Sequence, residues 1–354
     1  MNLGNVSQTV YRRSVLKQLH KESDIALIAP GQEEACWGIA VEEDECVLAS
    51  DVTLYGNEKD LCVFAMAQAA NHLASRGGQV KGFAISILLT DYAHESRLKA
   101  MMQAAREAAD MQGLAIVKAQ AQTVPLIQTT VVQVTALGTG RAVPEGAGRN
   151  IVKDGQHISP KRQTSDCGLI LSRDARPDQD IVMVKWAGLE GTLRIKREKE
   201  KELCGRFPDA FLNKLETYMA ELFSIREMKA AVATGVSAMH QITDGGVLAA
   251  LWNLAEGAGI GLSVDLRKMP IRQETIEVCE QFHLNPYQLT SAGGILVVTP
   301  KGEELADTLK REGTAAAVIG YTTKGRERTV KSGGELRYLD RPAPDELTKI
   351  YGKK

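Results

Sequence analysis

The sequence predicts two domains, an α+β domain followed by an α/β domain. Three observations carry this expectation. The chain has 354 residues, about twice the usual domain length. Strand-like and helix-like runs alternate through both halves. Between the halves, residues 141–162 hold Pro144, Gly146, Gly148, Gly155 and Pro160 and no long apolar run, as an interdomain linker does. The expected domains are therefore 1–150 and 151–345, with a tail at 346–354.

The elements follow in order. Residues 36–41 (CWGIAV) and 46–49 (CVLA) flank an acidic turn and read as a hairpin. A helix over 61–75 sets Phe64, Ala67, Asn71 and Ala74 on one face and ends at Gly77 and Gly78. Residues 83–89 (FAISILL) form a strand. The next helix carries Leu98, Met101, Met102, Ala105 and Ala109 in one stripe and stops at Gly113. Strands at 114–118 and 131–137 complete a ββαβαββ order, helices folded back onto a mixed sheet. In the second half, strand 181–186 (IVMVKW) runs into AGLEGT at 187–192. The charged run RIKREKEKEL at 194–203 reads as a solvated helix face. Phe211, Leu215, Tyr218 and Leu222 mark an amphipathic helix. Gly245 and Gly246 open another, with Val247, Leu251, Leu254 and Ala258 on its core side. Late strands fall at 294–299 and 315–319.

Charge narrows the function. Lys and Arg number 43 against 44 Asp and Glu, so there is no basic footprint for nucleic acid and no general attraction to anionic lipid. No apolar run reaches membrane-spanning length, and the opening residues lack the apolar core of a signal peptide. The six cysteines (Cys36, Cys46, Cys62, Cys167, Cys204 and Cys279) never form C-x-x-C. They read as reduced, buried thiols of a cytoplasmic protein.

Glycine placement gives the candidate site. GAGIG at 257–261 follows a helix instead of opening one, so it is a helix-ending turn and no dinucleotide loop. No P-loop motif is present. Gly188, Gly191 and Thr192 follow a strand directly, and Asp244, Gly245 and Gly246 directly precede a helix. Exposed amides at such points bind phosphate; each stretch also reads as a plain turn. His240, just before the second stretch, reads as a reactive or a structural histidine. Glu33 and Glu34 before a strand, and Asp51 at the end of one, are carboxylates of the kind that hold magnesium; they are also common turn residues. Asn71 on an apolar helix face must find a partner, and a ligand is one choice.

Taken together, the motifs form a pattern. GQEEA at 31–35, Ser50-Asp51, ANHLASRG at 70–77, AGLEGT at 187–192, MHQITDGG at 239–246 and NPYQLTSAG at 285–293 resemble the aminoimidazole ribonucleotide (AIR) synthase superfamily, on its hydrogenase-maturation, carbamoyl-dehydratase-like branch. The resemblance spans about residues 5–340. It implies an AIR synthase-like N-terminal domain with a ferredoxin-like mixed sheet, and an AIR synthase-like C-terminal domain. It also implies a homodimer through a shared barrel of N-terminal strands, ATP in a cleft between the domains, and magnesium on acidic residues. Phosphate would pass to an amide or carbonyl oxygen of a small molecule. On this reading Glu33, Glu34 and Asp51 hold the metal, and Asp51, Asn71 and His240 serve catalysis. Gly188, Gly191, Thr192, Asp244, Gly245 and Gly246 hold the nucleotide.

The pattern is also broken at several positions. Family carboxylate positions fall on His72, Gln120 and Gln241, and a glycine pair falls on Lys118 and Ala119. Losing these charges predicts slow or absent ATP turnover, since metal-bridged phosphates need carboxylates around the metal. The branch's C-terminal cysteine has no counterpart after Cys279, so its thiocarboxamide chemistry is not expected. Two functions are therefore carried forward. One is an ATP-using enzyme. The other is a degenerate, dimeric ligand-binding or scaffold protein without ATP turnover.

Overall fold

The structure is a computed structural model that describes residue 9 and residues 26–28, 36–40, 45–141 and 169–351. The N-terminal half is one six-stranded sheet in the order β1-β2-β3-β6-β4-β5. Its strands are β1 (Ala26–Ile28), β2 (Trp37–Ala40), β3 (Glu45–Gly56), β4 (Gln79–Leu89), β5 (Ala115–Thr123) and β6 (Thr130–Arg141). The expected hairpin forms, with Trp37 opposite Ala49. Two helices cover one face, α1 (Leu61–Ala74) and α2 (Glu95–Gln112). All fourteen residues of α1 are buried, because the sheet lies on one side of it and the C-terminal half on the other. Helix α2 has the expected stripe, with Met101, Ala105, Ala108 and Ala109 buried, and Gly113 ends it in the left-handed conformation.

The C-terminal half is a seven-stranded sheet in the order β13-β12-β9-β11-β7-β10-β8. Its strands are β7 (Asp180–Val184), β8 (Ala238–Gln241), β9 (Gly261–Asp265), β10 (Ile295–Thr299), β11 (Ala316–Thr323), β12 (Arg328–Ser332) and β13 (Glu335–Tyr338). Every pairing is antiparallel except β9 with β12. Around it lie α3 (Leu189–Glu198), α4 (Glu200–Cys204), α5 (Asp209–Glu216), α6 (Ile225–Thr234), α7 (Gly246–Ala258), α8 (Gln273–Gln281), α9 (Gly302–Arg311) and α10 (Thr348–Tyr351). One apolar core runs continuously from α1 and the first sheet into α3, α6 and the inner strands of the second. A second core lies between that sheet and α7.

Three expectations change. The charged run is not simply a solvated face, because Arg194 and Lys196 are buried on α3 and its exposed residues begin only at Glu198. Asp51 does not end a strand. It sits mid-way along β3, opposite Thr135 of β6. Cys204 is exposed, while the other free cysteines described, Cys36, Cys46, Cys62 and Cys279, are buried. The proposed linker beyond Arg141, together with Glu33 and Glu34, lies outside the described residues. No described helix is long and apolar enough to cross a membrane.

Candidate functional site

Strand direction creates the site. Strand β10 runs antiparallel to both β7 and β8, with Ile295 opposite Val184 on one side and Gln241 on the other. The ends of β7 and β8 and the start of β10 therefore meet at one edge of the sheet. The segments 185–192, 242–246 and 287–294 leave that edge side by side, and α1 of the other half closes over them. Ligands in α/β folds collect at edges of this kind.

The first glycine stretch is present, but its amides are spent. Gly188 takes a left-handed φ of 69° ahead of α3, and its N–H donates to Ser291 Oγ at 2.6 Å. The Gly191 N–H donates to the Thr290 carbonyl and the Thr192 N–H to that of Gly188. Thr192 Oγ1 donates to the Gly188 carbonyl at 2.7 Å. Between Gly188 and Gly191 sits Glu190, fully buried. Its carboxylate accepts from Gln68 Nε2 at 2.7 Å and Thr290 Oγ1 at 3.0 Å, with Arg194 3.6 Å away. Burial pushes the Glu190 carboxyl up, against the pull of Arg194. The glycine stretch thus joins the two halves through a carboxylate instead of binding an anion.

The second stretch is filled from within the chain. Gly245 is left-handed and caps α7. Its N–H donates to Asp345 Oδ2 at 2.8 Å, while Asp345 Oδ1 accepts from the Leu347 N–H at 2.8 Å. A carboxylate at a helix N-terminus is favoured by the unpaired amides and the helix dipole, so Asp345 takes the place predicted for a phosphate. Asp345 is 3% exposed. Burial pushes its carboxyl up to about 8, helped by neighbouring Asp244 and Glu190. The Gly246 N–H donates to the Thr243 carbonyl. A Cβ on Gly246 would lie 2.5 Å from the Tyr287 carbonyl oxygen and 2.7 Å from the Leu289 nitrogen, so this glycine permits close backbone packing. Asp244 is exposed.

The residues expected in catalysis are separated and engaged elsewhere. Asp51 accepts from Trp37 Nε1 at 2.9 Å and from Thr135 Oγ1 on the outer face of the first sheet. The Asn71 amide is satisfied at both ends by backbone, donating to the Leu222 carbonyl at 2.7 Å and accepting from the Ser224 N–H at 2.8 Å. His240 Nδ1 lies 3.1 Å from Ser172 Oγ, and His72 Nδ1 lies 3.0 Å from Ser50 Oγ. Both rings are buried near Arg76, and burial first, then that guanidinium, lowers each to about 3. They are neutral structural imidazoles. Of the predicted residues, the fold brings together Gly188, Gly191, Thr192, Asp244, Gly245 and Gly246, and leaves Asp51, Asn71 and His240 outside that group.

Sequence reasoning missed Gln68, Glu190, Lys185, Arg272 and Asp345, and named Gln241 only as a lost carboxylate position. Glu190 lay inside a quoted motif; Asp345 carried no local signal. Lys185 follows β7 with a strained φ of 61°. Its Nζ donates to the carbonyls of Glu221 and Phe223 and pairs with Glu227 at 3.2 Å. Burial lowers its pKa, and Glu227 opposes that. Beside it, Arg272 pairs with Glu221 and lies 4.6 Å and 4.2 Å from the ring centres of Trp186 and Tyr218. Lys185, Trp186, Glu221, Glu227 and Arg272 border a cavity of about 460 Å³.

Two of the three expected metal ligands, Glu33 and Glu34, lie outside the described residues. Among the described residues no three His, Cys, Asp or Glu side chains are grouped to hold a metal. The Gly188, Gly191, Gly245 and Gly246 amides already have acceptors, and the Asp345 carboxyl fills the place where phosphate would sit.

Comparison with known proteins agrees with the architecture. Residues 177–332 match the AIR synthase related protein, C-terminal domain family. The carbamoyl dehydratase HypE of Rhodobacter capsulatus is 29% identical over 155 residues, covering 42% of this chain and 46% of that protein. The chain thus matches less than half the length of this curated relative. Among solved structures, HypE in a HypE–HypF complex has a TM-score of 0.68 at 15% identity, covering 94% of this chain and 99% of that one. ThiL complexed with AMPPCP and TMP has a TM-score of 0.67 at 15% identity, covering 96% and 98%. HypE in complex with ATP has a TM-score of 0.65 at 16% identity, covering 98% and 94%. Over residues 177–332 the chain is thus similar to AIR synthase-related C-terminal domains, and over part of its length to a hydrogenase-maturation relative.

Proposed function

We propose that this protein binds a small, uncharged ligand between its two halves and does not turn over magnesium ATP. The observation that carries this reading is Asp345 seated on the Gly245 amide, the position where an anionic ligand would otherwise be held. Asp244 lies close enough to Asp345 to help raise its carboxyl, and a polyanion seated there would meet that same charge. We further propose a homodimer in the cytoplasm. Among the described residues no helix lies over the outer face of the first sheet, and Trp37 and Tyr55 are 45% and 41% exposed on that sheet. A second copy would cover such a surface.

An ATP-dependent phosphoryl transfer is the second reading. It is supported by the fold neighbours that carry ATP or AMPPCP, and it requires Asp345 to leave the α7 terminus. Release of inorganic phosphate from ATP and magnesium separates the two. Background-level release is expected; turnover of about one per second or faster, within the ordinary range of enzymes, would establish the second reading.

A further inference from the structure

We propose that Gln241 recognises a carboxamide-type edge, a hydrogen-bond donor beside an acceptor, on the ligand held between the two halves. The inference rests on the ligand-binding reading above and names the chemistry that this ligand presents.

Gln241 is the last residue of β8. Side chains alternate along a strand, so Gln241 shares a face with Met239, and His240 points the other way with Ile242. Met239 and the cross-strand neighbour Ile295 belong to the core that joins the two halves. Gln241 is 3% exposed, and neither Nε2 nor Oε1 has a hydrogen-bond partner among the described residues. It is the one described side chain with two such buried atoms. Polar groups in the adjoining segments are paired. Ser291 both donates and accepts, Glu190 accepts from Gln68 and Thr290, and Ser224 donates to the Gly293 carbonyl. The unpaired amide is therefore a local feature and not a sign of loose packing at this edge.

Leaving a buried donor and acceptor unmade is costly, and such groups call for a partner. A primary amide offers one carbonyl and one NH2 in a plane. Another planar donor–acceptor pair satisfies both in a single cyclic contact. A phosphate or carboxylate satisfies only the donor, and an ammonium only the acceptor. Two kinds of neutral molecule carry the matching edge: a nucleobase, or a metabolite with a primary carboxamide.

The test uses the full-length, nitrogen-15-labelled protein with adenosine and nicotinamide as probes. Wild type is compared with Gln241→Met, which keeps length without polarity, and with Gln241→Glu. The Gln241 side-chain NH2 signals are assigned by their loss in Gln241→Met. We expect these signals to shift with at least one probe, and that probe to bind about tenfold or more weakly to both variants. Gln241→Met should melt at or above the wild-type temperature, since no satisfied bond is lost. A response to adenosine alone assigns the nucleobase source, and a response to nicotinamide alone the carboxamide source. Unmoved signals with both probes, or equal affinity in Gln241→Met, would overturn the inference. So would a lower melting temperature for that variant, which shows an amide already held in place. Rapid ATP turnover would overturn the functional reading and not this one, which is judged by the amide signals themselves.

Discussion

At the scale of single residues, two glycines read alike in sequence and differ in structure. A Cβ on Gly191 would press to 2.3 Å from Cγ of the fully buried Leu289, whereas a Cβ on Gly246 would meet backbone at a φ of 67°. Gly246→Ala, which adds left-handed strain to a backbone clash, should therefore cost about 3 kcal/mol or more, and Gly191→Ala, where helix propensity offsets part of the overpacking of Leu289, about 1–2 kcal/mol. Chemical denaturation of the two variants checks this contrast. The titrating groups set a pH optimum. His72 and His240 hold pKa values of about 3 against 6.5 when free. The unfolded chain binds more protons in that window, and stability falls as pH drops below about 6.5. Asp345 is reversed, about 8 against 3.8 when free, so stability falls as pH rises through that window. Two histidines outweigh one aspartate below pH 6.5, and the aspartate acts against neither above it. Melting temperature should peak near pH 6.5, and Asp345→Asn should flatten the decline toward pH 8. An unchanged alkaline limb in that variant would show that Asp345 does not set it.

At the scale of elements, Asn71 is the clearest tie between the halves. It joins α1 to the segment before α6 by two backbone bonds, one to Leu222 and one from Ser224. Asn71→Ala leaves a buried carbonyl and a buried N–H unpaired, which costs about 2–4 kcal/mol. Equilibrium urea unfolding should show this loss, and a change below about 1 kcal/mol would mean that water replaces the amide. Most elements were legible because their signals are local. The stripe of α2, the glycine after it and the alternation of β4 are all written within a few residues. Asn71 was legible as an anomaly, but its partners lie about 150 residues away in sequence, beyond any local pattern. The charged run misled for a related reason. Arg194 is buried because Glu58 meets it from elsewhere in the chain, beside Glu190 one turn earlier on α3. Gly245 showed where an anion belongs, and nothing near Asp345 in sequence showed that the chain supplies one.

At the scale of the whole molecule, the outer face of the first sheet sets the expected assembly. Asp51, Thr135, Ala84 and Lys118 lie on one rung across β3, β6, β4 and β5, on the side away from the helices. Light scattering at micromolar concentration should give the mass of two chains; a stable single chain would contradict the proposed dimer. The central claim concerns the α7 terminus, where the chain's own carboxylate stands in for a phosphate. Calorimetric titration of ATP, with and without magnesium, into wild type and Asp345→Ala tests it most directly. The account predicts no magnesium-dependent binding to wild type, and a gain of phosphate-dependent affinity when the Gly245 amide is freed. Micromolar magnesium-ATP binding by the wild-type protein, unchanged in Asp345→Ala, would contradict it.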